Sequence, residues 1–247
     1  MASLYLPAIK PLLATIIAFA LGAWGTVGLM IGLVDEKGKA PPVVTPGPFV
    51  PSPPPEGAIV LFDGKDASHW TQHGKEVKWE VVDGEFRCKP GTGDVITTDK
   101  FRDAEIHLEF ATPLMADKHG QARGNSGVYL QGRYELQILD SYNDETYFDG
   151  QCGAIYKQYP PLKNACRPPL EWQSYDIVFK GARKDGDKTI NAHVTVKQNG
   201  ILIQDNVELK TVTPGEMDKN VTEEGPLRLQ DHGNLVKFRN IWMKKLD

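Results

Sequence analysis

The chain has 247 residues, 40% of them hydrophobic and 24% charged, with a formal net charge of −4. An acidic balance without any Lys/Arg run interleaved with aromatics excludes a phosphate-coating surface, so nucleic acid is not an expected partner. With the N-terminal segment set apart, about 190 residues remain, enough for one core and one domain.

From Leu12 to Val34 no charged residue interrupts an apolar run. At about 1.5 Å per residue, a helix of that length reaches about 35 Å, enough to cross a hydrocarbon core. The expectation is a single-pass transmembrane anchor over 12–34. Residues 1–11, with Lys10, stay cytoplasmic, and the remainder lies on the periplasmic or extracellular side. The alternative is a cleaved signal peptide, because Ala18-Phe19-Ala20 has the small-x-small form of a cleavage site; the protein is then secreted. Residues 35–57 read as a Pro-rich linker whose prolines remove donors and fix φ. In polyproline form its stretch from Ala40 to Glu56 is a stalk of about 50 Å, or else a disordered tether.

Residues 58–247 contain no long 3.6-period stripe. Short β-type runs bounded by Gly, Asp, Asn and Pro cover Ala58 to Phe62, Trp79 to Val82, Glu105 to Ala111, Val128 to Gln131 and Tyr134 to Asp140. Further runs cover Gln173 to Lys180, Ile190 to Gln198, Ile201 to Glu208, Leu227 to Asp231 and Phe238 to Lys245. That spacing predicts an all-β sandwich. Asp83-Gly84 and Asn199-Gly200 are two-residue hairpin turns.

The stretch from Gly124 to Asp140 carries the strongest pattern, a strand, a Gly-Arg turn and a second strand. Val128, Leu130, Leu136 and Ile138 alternate with Tyr129, Gln131, Glu135 and Gln137, so one face packs a core and the other carries amides, a carboxylate and a phenol. Such a face suits a ligand dense in hydroxyls. Glu135 is the candidate general base. Beyond Leu227, Arg228, Gln230 and His232 share a face by alternation, and His232, beside a Gly-Asn turn, is the candidate acid or base. Tyr129 and Tyr156 are the candidate stacking rings, whereas Trp70, Trp79, Trp172 and Trp242 read as core.

No cofactor is required by the sequence. Asp140 and Glu109 are the candidates for a divalent metal, although Asp140 also reads as a cap for the turn from Ser141 to Asp144. Glu105, His107 and Glu109 form a second polar strand face, but nothing completes a zinc site with motif spacing. Cys88, Cys152 and Cys166 are an odd number for a disulfide framework. The loop between Cys152 and Cys166 is short enough to close as a bond, and three buried free thiols are the alternative.

Several motifs occur in order along the chain: Leu61-Phe62-Asp63-Gly64-Lys65-Asp66, Trp79-Glu80-Val81-Val82-Asp83-Gly84 and the 124–140 stretch, then Gly153-Ala154-Ile155-Tyr156, Glu171-Trp172-Gln173-Ser174-Tyr175-Asp176 and Gly225-Pro226-Leu227-Arg228-Leu229-Gln230-Asp231-His232-Gly233. With them, the segment from about Ile59 to the C-terminus resembles the 3-keto-disaccharide hydrolase domain family. The resemblance implies an antiparallel two-sheet jelly roll of the concanavalin A-like kind. It also implies action on glycosides oxidised to a 3-ketone, in an envelope protein.

A 3-ketone acidifies the hydrogen on C2, so a base removes it, the enolate expels the C1 oxygen, and water then adds. Glu135 and His232 share the acid/base roles in this reading. Asn125, Gln131, Arg133, Gln137 and Gln230 offer donors, and Tyr129, Tyr156 and Arg228 complete the substrate contacts. An upstream sugar 3-dehydrogenase supplies the ketone. Gln137 stands where laminarinase-like relatives of this sandwich carry an acid, which disfavours retaining glycosidase chemistry. A noncatalytic carbohydrate-binding domain and a structural envelope protein are the alternatives.

Overall fold

A computed structural model describes residues 40–246. The anchor or signal segment over 12–34 lies outside the described residues, among which no helix is long and apolar enough to cross a membrane. In chain order the strands are β1 (Ile59–Phe62), β2 (Trp70–Thr71), β3 (Glu80–Val82), β4 (Glu85–Arg87), β5 (Val95–Phe101), β6 (Ala104–Ala111), β7 (Ser126–Leu130) and β8 (Tyr134–Ile138). They continue as β9 (Gln173–Lys180), β10 (Arg183–Asp185), β11 (Lys188–Ile190), β12 (Ala192–Gln198), β13 (Ile201–Leu209), β14 (Gly225–Leu229) and β15 (Lys237–Lys245).

One sheet runs β13-β12-β9-β6-β15-β4-β3, with β1 also paired to β15, and the other runs β2-β5-β14-β7-β8. The ladders within both sheets are antiparallel. Strands alternate as their sequences demand: on β9, Tyr175, Ile177 and Phe179 are buried while Val178 and Lys180 are exposed. Those inward residues meet Val128, Leu130, Leu136, Ile138, Leu227 and Leu229 of the second sheet in one core. Full burial of each such side chain contributes about 1.5–3 kcal/mol. Phe179 packs edge-on to Phe101 of β5 at 5.8 Å. Tyr175 also crosses the sandwich, its hydroxyl donating to the Gln137 carbonyl at 2.6 Å. This is the antiparallel sandwich expected from the run spacing, and the jelly-roll reading fits it. Strand β5 escaped the run reading, because Thr98, Asp99 and Lys100 interrupt its apolar pattern.

Asp83-Gly84 and Asn199-Gly200 are hairpin turns with positive φ at all four residues. At the β7–β8 turn, positive φ falls on Gln131 and Gly132 rather than on Arg133. Trp70, Trp79 and Trp242 are buried as expected.

The reading of 40–56 as a free stalk needs correction. Val44 N–H donates to the Asn164 carbonyl at 2.9 Å, Asn164 N–H returns a bond to Pro42 at 3.0 Å, and Arg167 donates to the Gly47 carbonyl. The Ser52 carbonyl accepts from Trp242 Nε1 and Asn240 Nδ2, each at 3.0 Å. Prolines leave a strand short of donors but keep their carbonyls, and the domain supplies the N–H groups. The segment is a strap on the first sheet, so its length sets no spacing.

The second polar face also changes character. His107 and Glu109 are buried, with His107 stacked on Trp242 at 5.4 Å and its Nδ1 2.7 Å from Asp176. Trp242 and the strap above it close off what alternation alone presents as an open face. All three cysteines are buried free thiols. Cys152 and Cys166 nevertheless share one donor, Gln198 Nε2, at 3.4 and 3.5 Å.

Candidate active site

The polar face of the second sheet is centred on Glu135. It stands opposite Tyr129 in the β7–β8 register, and Tyr129 stands opposite Arg228 in the β14–β7 register, so the three side chains form a row across adjacent strands. The Tyr129 hydroxyl donates to Glu135 Oε2 at 3.0 Å and lies 3.3 Å from the Pro214 carbonyl. The Arg228 guanidinium covers the Tyr129 ring at 3.6 Å, and its Nε faces Asp94 at 3.5 Å. Gln230 Nε2 reaches the Tyr129 oxygen at 3.4 Å. Glycine at 127 makes room for this arrangement, since a Cβ there would stand 2.4 Å from Glu135 Oε1.

Glu135 is 4% exposed, and burial pushes its carboxyl up to about 7 against the opposing hydrogen bond from Tyr129 and the charge of Arg228. Its Oε1 accepts no hydrogen bond from a described residue. Three buried polar atoms on this side of the sheet make no hydrogen bond to a described residue: Gln137 Oε1, Gln230 Oε1 and Arg228 Nε, the last facing Asp94 only as an ion pair. Donors and acceptors left open around a carboxyl that titrates near neutrality are what a polar ligand with a transferable proton requires. Cavities of about 540 Å³, bordered by Val43 and Asp144, and of about 390 Å³, bordered by Lys180 and His193, open elsewhere and do not touch Glu135. The chemistry of the side chains, not volume, marks the site.

The other residues named from the sequence divide into two groups. Gln137 stays on the face, its Nε2 donating to Gln121 Oε1 at 3.1 Å and to the Gly150 carbonyl at 3.2 Å. Tyr156 joins it through the strip after β8, where its N–H donates to the Glu135 carbonyl at 3.1 Å. His232 is exposed in the turn after β14 and its ring makes no hydrogen bond to a described residue. That turn is fixed by Asp231, whose carboxylate accepts from Gly93 and Gly233 N–H, each at 2.9 Å.

Asn125, Gln131 and Arg133 are occupied by the fold. Asn125 Nδ2 donates to the Gln121 carbonyl at 2.8 Å, and its N–H donates to Asn234 in the His232 turn. Gln131, at positive φ, turns its amide to the Phe101 carbonyl at 2.8 Å. Arg133 pairs with Asp218 at 2.7 Å and donates to the Glu223 carbonyl. Tyr129 is too buried, and too fully covered by Arg228, to serve as a stacking platform.

Both carboxylates named for a metal are engaged. Asp140 accepts from Arg123 Nε at 2.7 Å and from Tyr142 N–H at 3.2 Å, the capping role. Glu109 is bound by Arg239 and Asn240; burial works to raise its pKa, but those bonds and His107 hold it low. Among the described residues no cluster of three or more His, Cys, Asp or Glu is arranged to hold a metal.

Sequence reasoning missed Asp94, Thr213 and Tyr147. Thr213 Oγ1 accepts from the Glu135 N–H at 3.0 Å, and Tyr147 O–H lies 2.7 Å from Tyr156 O–H. Each comes from a loop without periodicity, and only pairing with the sheet brings it in.

Residues 57–244 match the model of the 3-keto-alpha-glucoside-1,2-lyase-like domain. A 3-keto-disaccharide hydrolase of Bacteroides thetaiotaomicron is 28% identical over 243 residues, covering 78% of this chain and 79% of that protein. A crystal structure of a candidate glycosyl hydrolase from Parabacteroides distasonis is 40% identical, covers 90% of this chain and 99% of its own, and superposes with a TM-score of 0.74. A second from the same organism, 24% identical over 78% of this chain and 95% of its own at a TM-score of 0.59, shares the fold. The chain belongs to the 3-keto-alpha-glucoside-1,2-lyase-like domain family.

Proposed function

We propose that this member of the family cleaves 3-keto-glycosides by taking the proton from C2, expelling the C1 oxygen and adding water. The observation that carries the proposal is Glu135: a buried carboxyl raised to about 7, with Tyr129 on one oxygen and the other oxygen without a hydrogen-bond donor among the described residues. A carboxyl in that range is a stronger base than an exposed glutamate and is still substantially ionised at neutral pH. Arg228 is the group proposed to meet the developing enolate oxygen, since a guanidinium stabilises negative charge better than a neutral amide and its Nε, facing Asp94 at 3.5 Å, makes no hydrogen bond to a described residue. His232 shares the acid/base work from the turn after β14, and Gln137 and Gln230 offer acceptors to sugar hydroxyls.

Family membership and the hydrolase relatives support a glycoside-cleaving activity; the 3-keto substrate and the eliminative route are the finer reading. Tethering through residues 12–34, an extracytoplasmic location and an upstream sugar 3-dehydrogenase belong to the same proposal.

Incubation with a 3-keto-glucoside in D2O tests it. Deuterium at C2 of the hydrated product, with no cleavage of the unoxidised glucoside, is the expected result. Equal cleavage of both substrates with no deuterium at C2 moves the assignment to direct hydrolysis, and binding without cleavage moves it to a lectin.

A further inference from the structure

The proposed elimination, on which this inference rests, makes a geometric demand beyond its base. In the sugar ring C2 lies between C1 and C3. A sugar held with C2 over Glu135 therefore sends its ketone oxygen toward one flank of the carboxylate and its glycosidic oxygen toward the other. On the β14 flank stands Arg228. On the opposite flank the chain adds a further strip to β8: Leu136 bridges Ile155, and both lie in the core. The next pair along, Glu135 and Tyr156, therefore turns to the polar face together.

Tyr156 is not alone there. Its hydroxyl lies 2.7 Å from that of Tyr147, and Lys157 Nζ stands 3.4 Å above the Tyr147 ring. The Tyr147 ring sits where any Cβ on residue 150 would be, 1.8 Å away, so Gly150 is what admits it. Two hydroxyls carry two protons, and the bond between them uses one. The second has no acceptor among the described residues. Burial first, then the bond to Tyr156 and the nearby charges of Asp149 and Glu135, push the Tyr147 phenol up, so Tyr147 keeps its proton at neutral pH. Tyr147 is also 38% exposed, which leaves it open to an incoming ligand.

We infer that the Tyr147–Tyr156 phenol pair delivers the proton to the departing glycosidic oxygen. Glu135 takes the hydrogen from C2 as a proton, and the electron pair of that C–H bond becomes the C1=C2 double bond of an enone. The C1–O bond breaks with its electrons on the leaving oxygen, which takes the unclaimed phenol proton. The phenolate so formed is held by its partner's O–H and by the Lys157 cation, and it recovers a proton from the water molecule whose oxygen goes on to C1. The hydroxide so formed adds at C1 while Glu135, its proton exchanged with solvent, protonates C2, so no oxidant or reductant is consumed.

The test uses the full chain, Tyr147→Phe and Tyr156→Phe variants, and two substrates: the methyl and the 4-nitrophenyl 3-keto-glucoside. Methoxide needs a proton to leave and nitrophenolate does not. Each Phe variant should lose about a hundredfold in turnover on the methyl substrate and less than about threefold on the nitrophenyl one. Exchange of the C2 hydrogen with D2O should persist in both variants, and their melting temperatures should stay near that of the parent. Equal losses on the two substrates, or no loss on the methyl substrate, overturns the donor role while leaving Glu135 as base. No C2 exchange in the unmodified protein overturns the base reading, and the donor role with it.

Discussion

Tyr129 and Glu135 face each other across β7 and β8, and the phenol donates to Glu135 Oε2 at 3.0 Å. The bond favours the charged carboxylate, while the surrounding burial favours the neutral acid and prevails. A carboxyl poised near neutrality is the outcome of that opposition.

Tyr129→Phe removes the bond that holds the Glu135 pKa down. The pKa then rises further, and the acidic limb of the kcat/KM profile should move to higher pH by about one unit, the worth of one hydrogen bond to a charged group. An unmoved limb would show that Glu135 is not the group titrating in that profile.

The same burial has a stability signature. Between the ordinary glutamate value and about 7 the folded chain holds a proton on Glu135 that the unfolded chain has released, so this group favours folding less and less as pH rises through that window. Glu135→Gln, which never ionises, should therefore raise the melting temperature at pH 8 and leave it nearly unchanged at pH 4.5. A gain of the same size at both values contradicts the raised pKa.

Turnover should separate chemistry from folding. Glu135→Gln and His232→Ala are each expected to lower kcat on a 3-keto-glucoside by about two to four orders of magnitude, the range for loss of a general acid or base. Retained turnover in His232→Ala would reduce that exposed ring to a bystander.

Gly127→Ala places a methyl group where Glu135 Oε1 now lies. The carboxylate must swing away or the strands must part, so turnover should fall at least about tenfold, with about 1–3 kcal/mol of lost stability from overpacking. Full activity in the alanine variant would mean that the carboxylate does not work from this position.

Arg133→Ala tests a residue that the sequence offered as a substrate contact. Because Arg133 is buried against Asp218 and the Glu223 carbonyl, its loss should lower stability by about 3 kcal/mol, read from the denaturant midpoint, with KM unchanged in the folded fraction. A stable variant with a raised KM restores the binding role.

The alternation of Val128, Leu130, Leu136 and Ile138 with Tyr129, Glu135 and Gln137 was readable along the chain because side-chain direction in a strand is a local property of the backbone. The same local rule located most of the strands, and the turn chemistry of Asp83-Gly84 and Asn199-Gly200 located two hairpins. Neither rule tells an exposed polar face from a covered one. His107 and Glu109 obey the alternation as well as Glu135 does, yet Trp242 and the strap at Ser52 close over them, because a chain segment some fifty residues earlier finds its donors there. Gln131 and Arg133 sit beside Glu135 in sequence, but the turn rotates them toward Phe101 and Asp218. Asp94, Tyr147 and Arg228 stand far from Glu135 in sequence, and only the order of strands in the sheet and the pairing of the strip after β8 gather them around it. The sequence by itself determined which residue carries the carboxyl and which way it points. The tertiary structure decided how deeply that carboxyl is buried, which partners oppose the burial and which hydroxyls stand on its far flank, since each of those depends on contacts between residues that only the folded sheet makes neighbours.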